Sequence, residues 1–211
     1  NFLYDNKLKA IVFMSSKKNN FIAGADINML KNVSDRSEIL KITNEGNNFF
    51  QKIKDKKIPL IAAINGSCMG GGLEWALYCD YRIATKNKNT IFSLPEVKLG
   101  LMPGMGGTYN LTNLIGLPNS LDIMLTGKNI KFDKAKKLGI IDELVEVEEL
   151  ENKALQKALI IKLNDKKSNN LDLTSRLANY SIFRNYIFNE AKKKIDKATK
   201  GNMPAPYKII E

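Results

Sequence analysis

Histidine is absent from this chain of 211 residues. That absence removes every nucleophile–imidazole dyad or triad and every metal site built on imidazole nitrogen. A catalyst made from this sequence must work with carboxylates, lysine, tyrosine, cysteine or backbone dipoles. Cysteine is scarce, with only Cys68 and Cys79, both in apolar surroundings. Two such residues cannot staple a disulfide scaffold, and they read as small buried thiols of a reducing compartment. Neither stands next to a cation of the kind that activates a thiolate. No apolar run reaches the roughly 18 residues a membrane span requires. Acidic residues are outnumbered by basic ones, 22 against 33, for a net charge of +11. The excess favours an anionic partner without naming it. Lysine and asparagine are spread along the chain rather than blocked, which reads as solvated surface. No aromatic-basic signature of an RNA module accompanies them, so nucleic acid is not the expected partner. A phosphate-bearing cofactor or substrate stays open.

The composition is that of an ordinary globular chain, and the length suits one domain, or one domain with a helical extension. Residues 8–15 form a short apolar run expected to be a buried strand, and 22–26 a tight turn. A helix is expected near 35–56, with Ile39, Leu40, Ile42, Phe49, Phe50 and Ile53 approximating its apolar face. Leu60 to Ile64 reads as a second buried strand, Asn65-Gly66 as a turn, and Gly70-Gly71-Gly72 as the opening of a helix to about Tyr78. Strands are expected over 80–85 and 90–93, then a Pro/Gly-rich loop to 107 and a helix from about Thr108. Helices follow at 117–127 and 133–138, stopped by Gly127 and Gly139. From about 147 the chain reads as helical and basic, with Pro204 and Pro206 breaking the last helix. Strands alternating with helices up to about 145 imply an α/β fold, and the tail is all α.

Chemistry concentrates in a few places. Gly70-Gly71-Gly72-Leu73-Glu74 lies between a strand and a helix. Such a turn lets a ligand approach backbone N–H groups at the positive end of a helix, which suits an oxygen that gains negative charge. On its own it reads equally well as a structural turn, and it lacks the Gly-Lys-Ser/Thr ending of a phosphate loop. Ala23-Gly24-Ala25-Asp26 is a second turn of the same kind. Glu74 falls in the first turn of the helix, and Glu96 lies in Leu94-Pro95-Glu96-Val97, amid apolar side chains that favour a raised pKa. Two close carboxylates titrate as a pair, one able to hold a proton while the other does not. Taken singly, Glu74 reads as a partner of the helix dipole and Glu96 as a solvated loop charge.

In combination these segments say more. Ile22-Ala23-Gly24-Ala25-Asp26-Ile27, Asn65-Gly66 through Leu73-Glu74, Pro95-Glu96-Val97-Lys98-Leu99-Gly100 and Pro103-Gly104-Met105-Gly106-Gly107-Thr108 occur in that order. The chain resembles the enoyl-CoA hydratase/isomerase (crotonase) superfamily. Asn28-Met29-Leu30, Tyr81 to Thr85, Thr199-Lys200-Gly201 and Pro204 to Ile210 further resemble the hydratase part of the alpha subunits of trifunctional and multifunctional fatty-acid oxidation complexes. The resemblance implies a crotonase (ClpP-like) spiral of ββα units over residues 1–165, lacking its first strands. It implies a helical linker over 166–211 toward an absent NAD-dependent 3-hydroxyacyl-CoA dehydrogenase domain. No Rossmann glycine pattern is present, and the chain runs from Asn1 to Glu211, so an internal fragment is expected.

The implied function is enoyl-CoA hydratase, a hydro-lyase of β-oxidation that adds water to trans-2-enoyl-CoA. The implied catalytic residues are Glu74, which deprotonates water, and Glu96, which protonates the α-carbon. The amides of Ala25 and Gly71 form the oxyanion hole, and Ala23, Gly24 and Asp26 lie against coenzyme A. No metal and no cofactor is needed for hydration; coenzyme A belongs to the substrate, and NAD only to the downstream domain. A thiolase-bearing beta subunit and peripheral membrane association of the complex are further implied. The implied location is mitochondrial (matrix or inner-membrane associated) in a eukaryote, otherwise the bacterial cytoplasm. Met105 stands where the family commonly has alanine, and Tyr109-Asn110 where it has Gln-Arg, which bears on chain-length preference. Enoyl-CoA isomerase, thioesterase or dehalogenase chemistry and a basic RNA-binding relative are the alternatives; two carboxylates favour hydration.

Overall fold

The computed structural model describes residues 8–24, 35–162 and 171–211. The chain runs through β1 (Ile11–Met14), β2 (Asn20–Ile22), α1 (Arg36–Asp55), β3 (Leu60–Ile64), β4 (Ser67–Met69) and α2 (Gly71–Tyr78). It continues through β5 (Tyr81–Thr85), β6 (Ile91–Ser93), a 3-10 helix (Pro95–Leu99), α3 (Gly107–Ile115), α4 (Leu117–Thr126), β7 (Ile130–Lys131) and α5 (Phe132–Leu138). Then come β8 (Glu143–Val145), a 3-10 turn (Val147–Glu149), α6 (Leu150–Ile160), α7 (Leu173–Leu177), α8 (Ser181–Thr199) and α9 (Pro204–Ile210). Two strands followed by a helix recur along the chain, and each pair sends one strand to each of two sheets. The sheet orders are β1-β3-β5-β8 and β2-β4-β6-β7. All pairings are parallel except β6 with β7. The expected spiral of ββα units is what the chain forms.

β3 explains why the first sheet is central. Its sequence Leu-Ile-Ala-Ala-Ile is buried at every position, as a parallel strand covered on both faces must be. Successive side chains point to opposite faces. Leu60, Ala62 and Ile64 therefore join the larger core, while Ile61 and Ala63 join a second core with Ile83, Val145, Leu150 and Ala154. α6 lies on that second face. The turn from β3 to β4 is fastened to the preceding unit: Asn65 Nδ2 donates to Ser15 O at 3.2 Å and to Lys17 O at 2.8 Å.

β5 is tied to the approach to β8 by a buried ion pair. Arg82 Nη2 lies 2.9 Å from Asp142 Oδ2, and Arg82 also donates to Ile140 O and Cys79 O at 2.8 and 2.6 Å. Arg82 N also donates to the Asp142 carboxylate, and Asp142 N donates to Arg82 O. Both cysteines are free and buried, as expected. Burial pushes both thiols up, Cys79 to about 12.

Several expectations need correction. The first strand is 11–14 rather than 8–15, and it is half-buried, because it lies at the end of its sheet among the described residues. β2, β4, β7 and β8 were not expected; each is only two or three residues long. On α1 only part of the expected apolar face is inside. Phe50 and Ile53 are buried, while Leu40, Ile42 and Phe49 are exposed. The helix docks by its C-terminal half, where Phe50 stacks on Trp75 at 4.6 Å and on Tyr78 at 4.7 Å. Pro204 does not break a helix but begins one: α8 ends before Lys200 in a left-handed conformation, and Pro204 takes the first position of α9. Proline suits that position because its missing N–H has no partner there in any helix. α8 and α9 pack on α4, with Ala191 and Ile209 in the larger core. The expected division near 165 lies outside the described residues. Among the described residues no helix is long and apolar enough to cross a membrane.

Replacing Arg82 with alanine removes the cation paired with the Asp142 carboxylate and the side-chain donors to Ile140 O and Cys79 O. Arg82→Ala is expected to cost about 3–5 kcal/mol of folding free energy, measured by urea denaturation; a loss within error of zero would refute this reading of the pair.

Candidate active site

β4 delivers the chain to the N-terminus of α2, and β6 delivers it to the 3-10 helix. Both elements therefore begin at neighbouring points, since Met69 pairs with Ser93. Gly70 makes the sharp turn into α2 at φ +54, a conformation other residues rarely adopt, and its N–H donates to Ser93 O at 2.9 Å. Gly71 is the first helical residue, so the helix offers its N–H no carbonyl and its dipole is positive there. Gly72 permits a close approach. A Cβ at that position would stand 2.1 Å from Ile22 O and 2.7 Å from Ile22 Cβ. The end of β2 therefore rests directly on the first turn of α2. Gly24 follows at φ +102, and the Cβ position of Gly70 lies 3.7 Å from Gly24 Cα.

The expected site residues divide accordingly. Gly24, Gly70, Gly71, Glu74 and Glu96 gather around this junction. Ala23 is exposed beside it. Ala25 and Asp26 lie outside the described residues. Lys17 and Lys18 are exposed.

Glu74 is one turn into α2 and its side chain is buried, at 2% exposure. Its Oε1 accepts from Met105 N and from Gly107 N, each at 2.8 Å. Gly107 is the first residue of α3, so the carboxylate also faces a positive helix end. Burial pushes the Glu74 carboxyl above its ordinary range, and the amides of Gly107, Met105 and Gly104 pull it back. Glu96 lies in the first turn of its 3-10 helix, and its Oε1 is 3.1 Å from the Cβ position of Gly70. Among the described residues its Oε2 is buried without a hydrogen-bond partner. Burial pushes Glu96 up to about 7 against the pull of its own amide, and the negative charge of Glu74 adds to the rise. The two carboxyls thus feel each other across the start of α2, and they differ in kind. Glu74 is held by donors that favour its ionised form, whereas Glu96 can keep a proton near neutrality.

Reasoning from sequence missed the amides of Met105 and Gly107 as the holders of Glu74. The Pro103–Thr108 segment was marked as a motif, but a main-chain donor carries no side-chain signature. Tyr109 is 72% exposed on α3, so it belongs to the supporting helix and not to the site. A cavity of about 330 Å³ lies elsewhere, between α4, α8 and α9, lined by Leu121, Leu125, Ile187 and Pro206 among others, and it includes neither glutamate.

Comparison with known proteins places this arrangement among relatives. The family model described as enoyl-CoA hydratase/isomerase matches residues 1–185. The chain is 41% identical over 207 residues to the fatty acid oxidation complex subunit alpha of Shewanella loihica, covering 98% of this chain and 29% of that protein. It is 43% identical over 208 residues to the subunit of the same name from Vibrio cholerae, covering 97% of this chain and 29% of that protein. The chain therefore spans under a third of the length of these relatives. A solved enoyl-CoA hydratase from Bacillus anthracis superposes with a TM-score of 0.69 at 30% identity, over 75% of this chain and 60% of that one. An enoyl-CoA hydratase from Thermoplasma volcanium gives 0.67 at 28% identity, over 90% of this chain and 79% of that one.

Two measurements check the geometry. Gly72→Ala drives a methyl into the main chain of β2 and is expected to lower stability by about 3 kcal/mol or more, read from thermal or chemical unfolding; a variant as stable as the parent would contradict the close approach. The Glu96 carboxyl is expected to titrate with a midpoint of about 7. Its pKa is raised, so the protonated-carboxyl infrared band persists below that midpoint and is lost above it, and the band is absent from Glu96→Gln. A band already lost at the ordinary glutamate pKa would contradict the assignment.

Proposed function

This chain belongs to the enoyl-CoA hydratase/isomerase family, and on that premise we propose that it adds water across the double bond of trans-2-enoyl-CoA thioesters in fatty-acid oxidation. The observation that carries the reading is the pair of unlike carboxyls at one helix mouth, Glu74 bound by two amides and Glu96 with a buried oxygen that has no partner among the described residues.

The thioester oxygen sits on the N–H of Gly71, with the amide of Ala25, one residue past Gly24, as its intended second donor. Preorganised donors of this kind contribute on the order of 3–4 kcal/mol each to the stabilisation of an enolate-like transition state. They draw electrons from C3 and open it to attack. Ionised Glu74 takes a proton from a water molecule held between the carboxyls as that oxygen bonds to C3. Protonated Glu96 gives its proton to C2. The product is 3-hydroxyacyl-CoA, and passage of the proton from Glu74 to Glu96 restores the start. Hydration on these lines draws on no metal or redox group. Isomerisation of the double bond would need only one of the carboxyls, and the presence of both favours hydration.

Around this centre we place Ala23, Gly24 and Asp26 against coenzyme A. We take 1–165 as the hydratase unit and 166–211 as a helical linker that braces it. An NAD-dependent dehydrogenase segment, a thiolase-bearing beta subunit and peripheral membrane association are proposals for the whole protein, drawn from its likeness to oxidation-complex alpha subunits. The named relatives are bacterial, which favours the bacterial setting over the mitochondrial one.

Hydration of crotonyl-CoA, followed by loss of enoyl-thioester absorbance, tests the reading. Glu74→Gln and Glu96→Gln are each expected to lower kcat by about 10²–10⁴-fold while the chain stays folded. Folded parent protein that leaves the absorbance unchanged would refute hydration.

A further inference from the structure

The cavity of about 330 Å³ between α4, α8 and α9 lies apart from the glutamate mouth, and its walls are aliphatic. α8 lines it with Ile187, Ala191 and Ile195, and α4 with Leu121 and Leu125. Residues four apart share one face of a helix, so each wall is a row laid along a helix axis. The row from Ile187 to Ile195 is about 12 Å long, at a rise of about 1.5 Å per residue. Ala191 and Ala198 offer only methyl groups to the space, so α8 does not fill it. The third wall is Pro206, on α9. The next residue fixes that wall, because Tyr207 OH donates to Asp196 Oδ1 of α8 at 2.5 Å. Leu121, Ala191, Ile195 and Pro206 are buried and make the floor, while Lys194 and Ala198 are exposed at the rim. The result is a preformed aliphatic trough with a polar edge, of a size that suits a small ligand.

Charge along that edge is uneven. Asp122 is paired with Lys128, and Glu190 Oε1 lies 2.7 Å from Lys193 Nζ. The hydroxyls of Thr126 and Thr199 turn back onto their own helices, donating to Asp122 O and Ile195 O. Lys194 also lines the trough, beside Ile195 at one end of the row, and pairs with no carboxylate among the described residues. The trough therefore offers apolar length and one uncompensated cation. A chain of methylenes gains by leaving water along the row, and an anionic head gains a charge-assisted bond at Lys194. We propose that this trough binds an unbranched aliphatic chain with a single anionic head, of about eight to ten carbons, since bonds of about 1.5 Å in a zigzag advance such a chain by about 1.3 Å per carbon. The chain lies along α8 and the head meets Lys194. The site includes neither Glu74 nor Glu96, so it stands independently of the hydratase reading.

Titration calorimetry with hexanoate, octanoate, decanoate and tetradecanoate, below their micelle concentrations, tests this. Affinity is expected to rise by about three- to fourfold per methylene and to level off near ten carbons, where the row ends. Lys194→Gln is expected to weaken decanoate by about two- to fivefold, the scale of an exposed ion pair, and to leave decan-1-ol unchanged. Ala198→Leu, at the exposed rim, places a larger side chain in the trough and is expected to weaken decanoate and decan-1-ol alike by about tenfold or more, with thermal unfolding showing that the variant is folded. Absence of saturable decanoate binding overturns the proposal. So does decanoate affinity that ignores both substitutions, or decylammonium that binds as well as decanoate. A dimer of this chain in sedimentation that Ala198→Leu dissolves and decanoate does not would make the trough a contact between copies, and overturns it too.

Discussion

The site depends on backbone packed against backbone with no side chain between. Ile22 O lies where a Cβ of Gly72 would be, and Gly24 lies over Gly70. Because the end of β2 rests on the first turn of α2, two turns that are far apart in sequence share one mouth. The parallel ladders β2–β4 and β4–β6 set the height at which each chain arrives, so the second unit supplies Glu74 and the third supplies Glu96 at the same level. The spiral is thus a device for presenting successive strand ends side by side.

At that mouth, burial and hydrogen bonding pull in opposite directions, and the balance differs between the two glutamates. Desolvation penalises both anions. Only Glu74 receives amide donors from the 104–107 segment, which lies at the start of α3. Glu96 has its own amide and a charged neighbour, so its proton is retained to a higher pH. Two chemically identical side chains are thus given different surroundings, one held by main-chain amides and one buried beside a charged neighbour, and it is on this difference that the proposed division into base and acid rests.

The larger features could be read from the amino-acid order. Leu60–Ile64 is an unbroken apolar run because both its faces are covered, and Gly127 and Gly139 end helices as their left-handed conformations require. The short strands could not be read, since two or three residues show no period. Amphipathic spacing overstates the apolar face of α1, since it does not say which half of a helix docks. Pro204 reads as a breaker in the sequence because proline stops one helix and starts another by the same lack of an N–H. Glu74 and Glu96 could be selected only through the ordered set of motifs, for each alone reads as a surface charge. The amides that hold Glu74 depend on long-range packing that leaves no local mark.

For the proposed hydration, the placement of Glu74 against the first amide of α3 has a consequence for turnover. Once the carboxylate has taken up a proton, the amides of Met105 and Gly107 and the helix end behind them face a neutral oxygen, a poorer acceptor than the one they were arranged around. In the proposed reaction burial therefore favours keeping that proton while the amides favour releasing it, so the three main-chain donors of the 104–107 segment offset part of the cost of recharging a desolvated carboxyl between one round and the next.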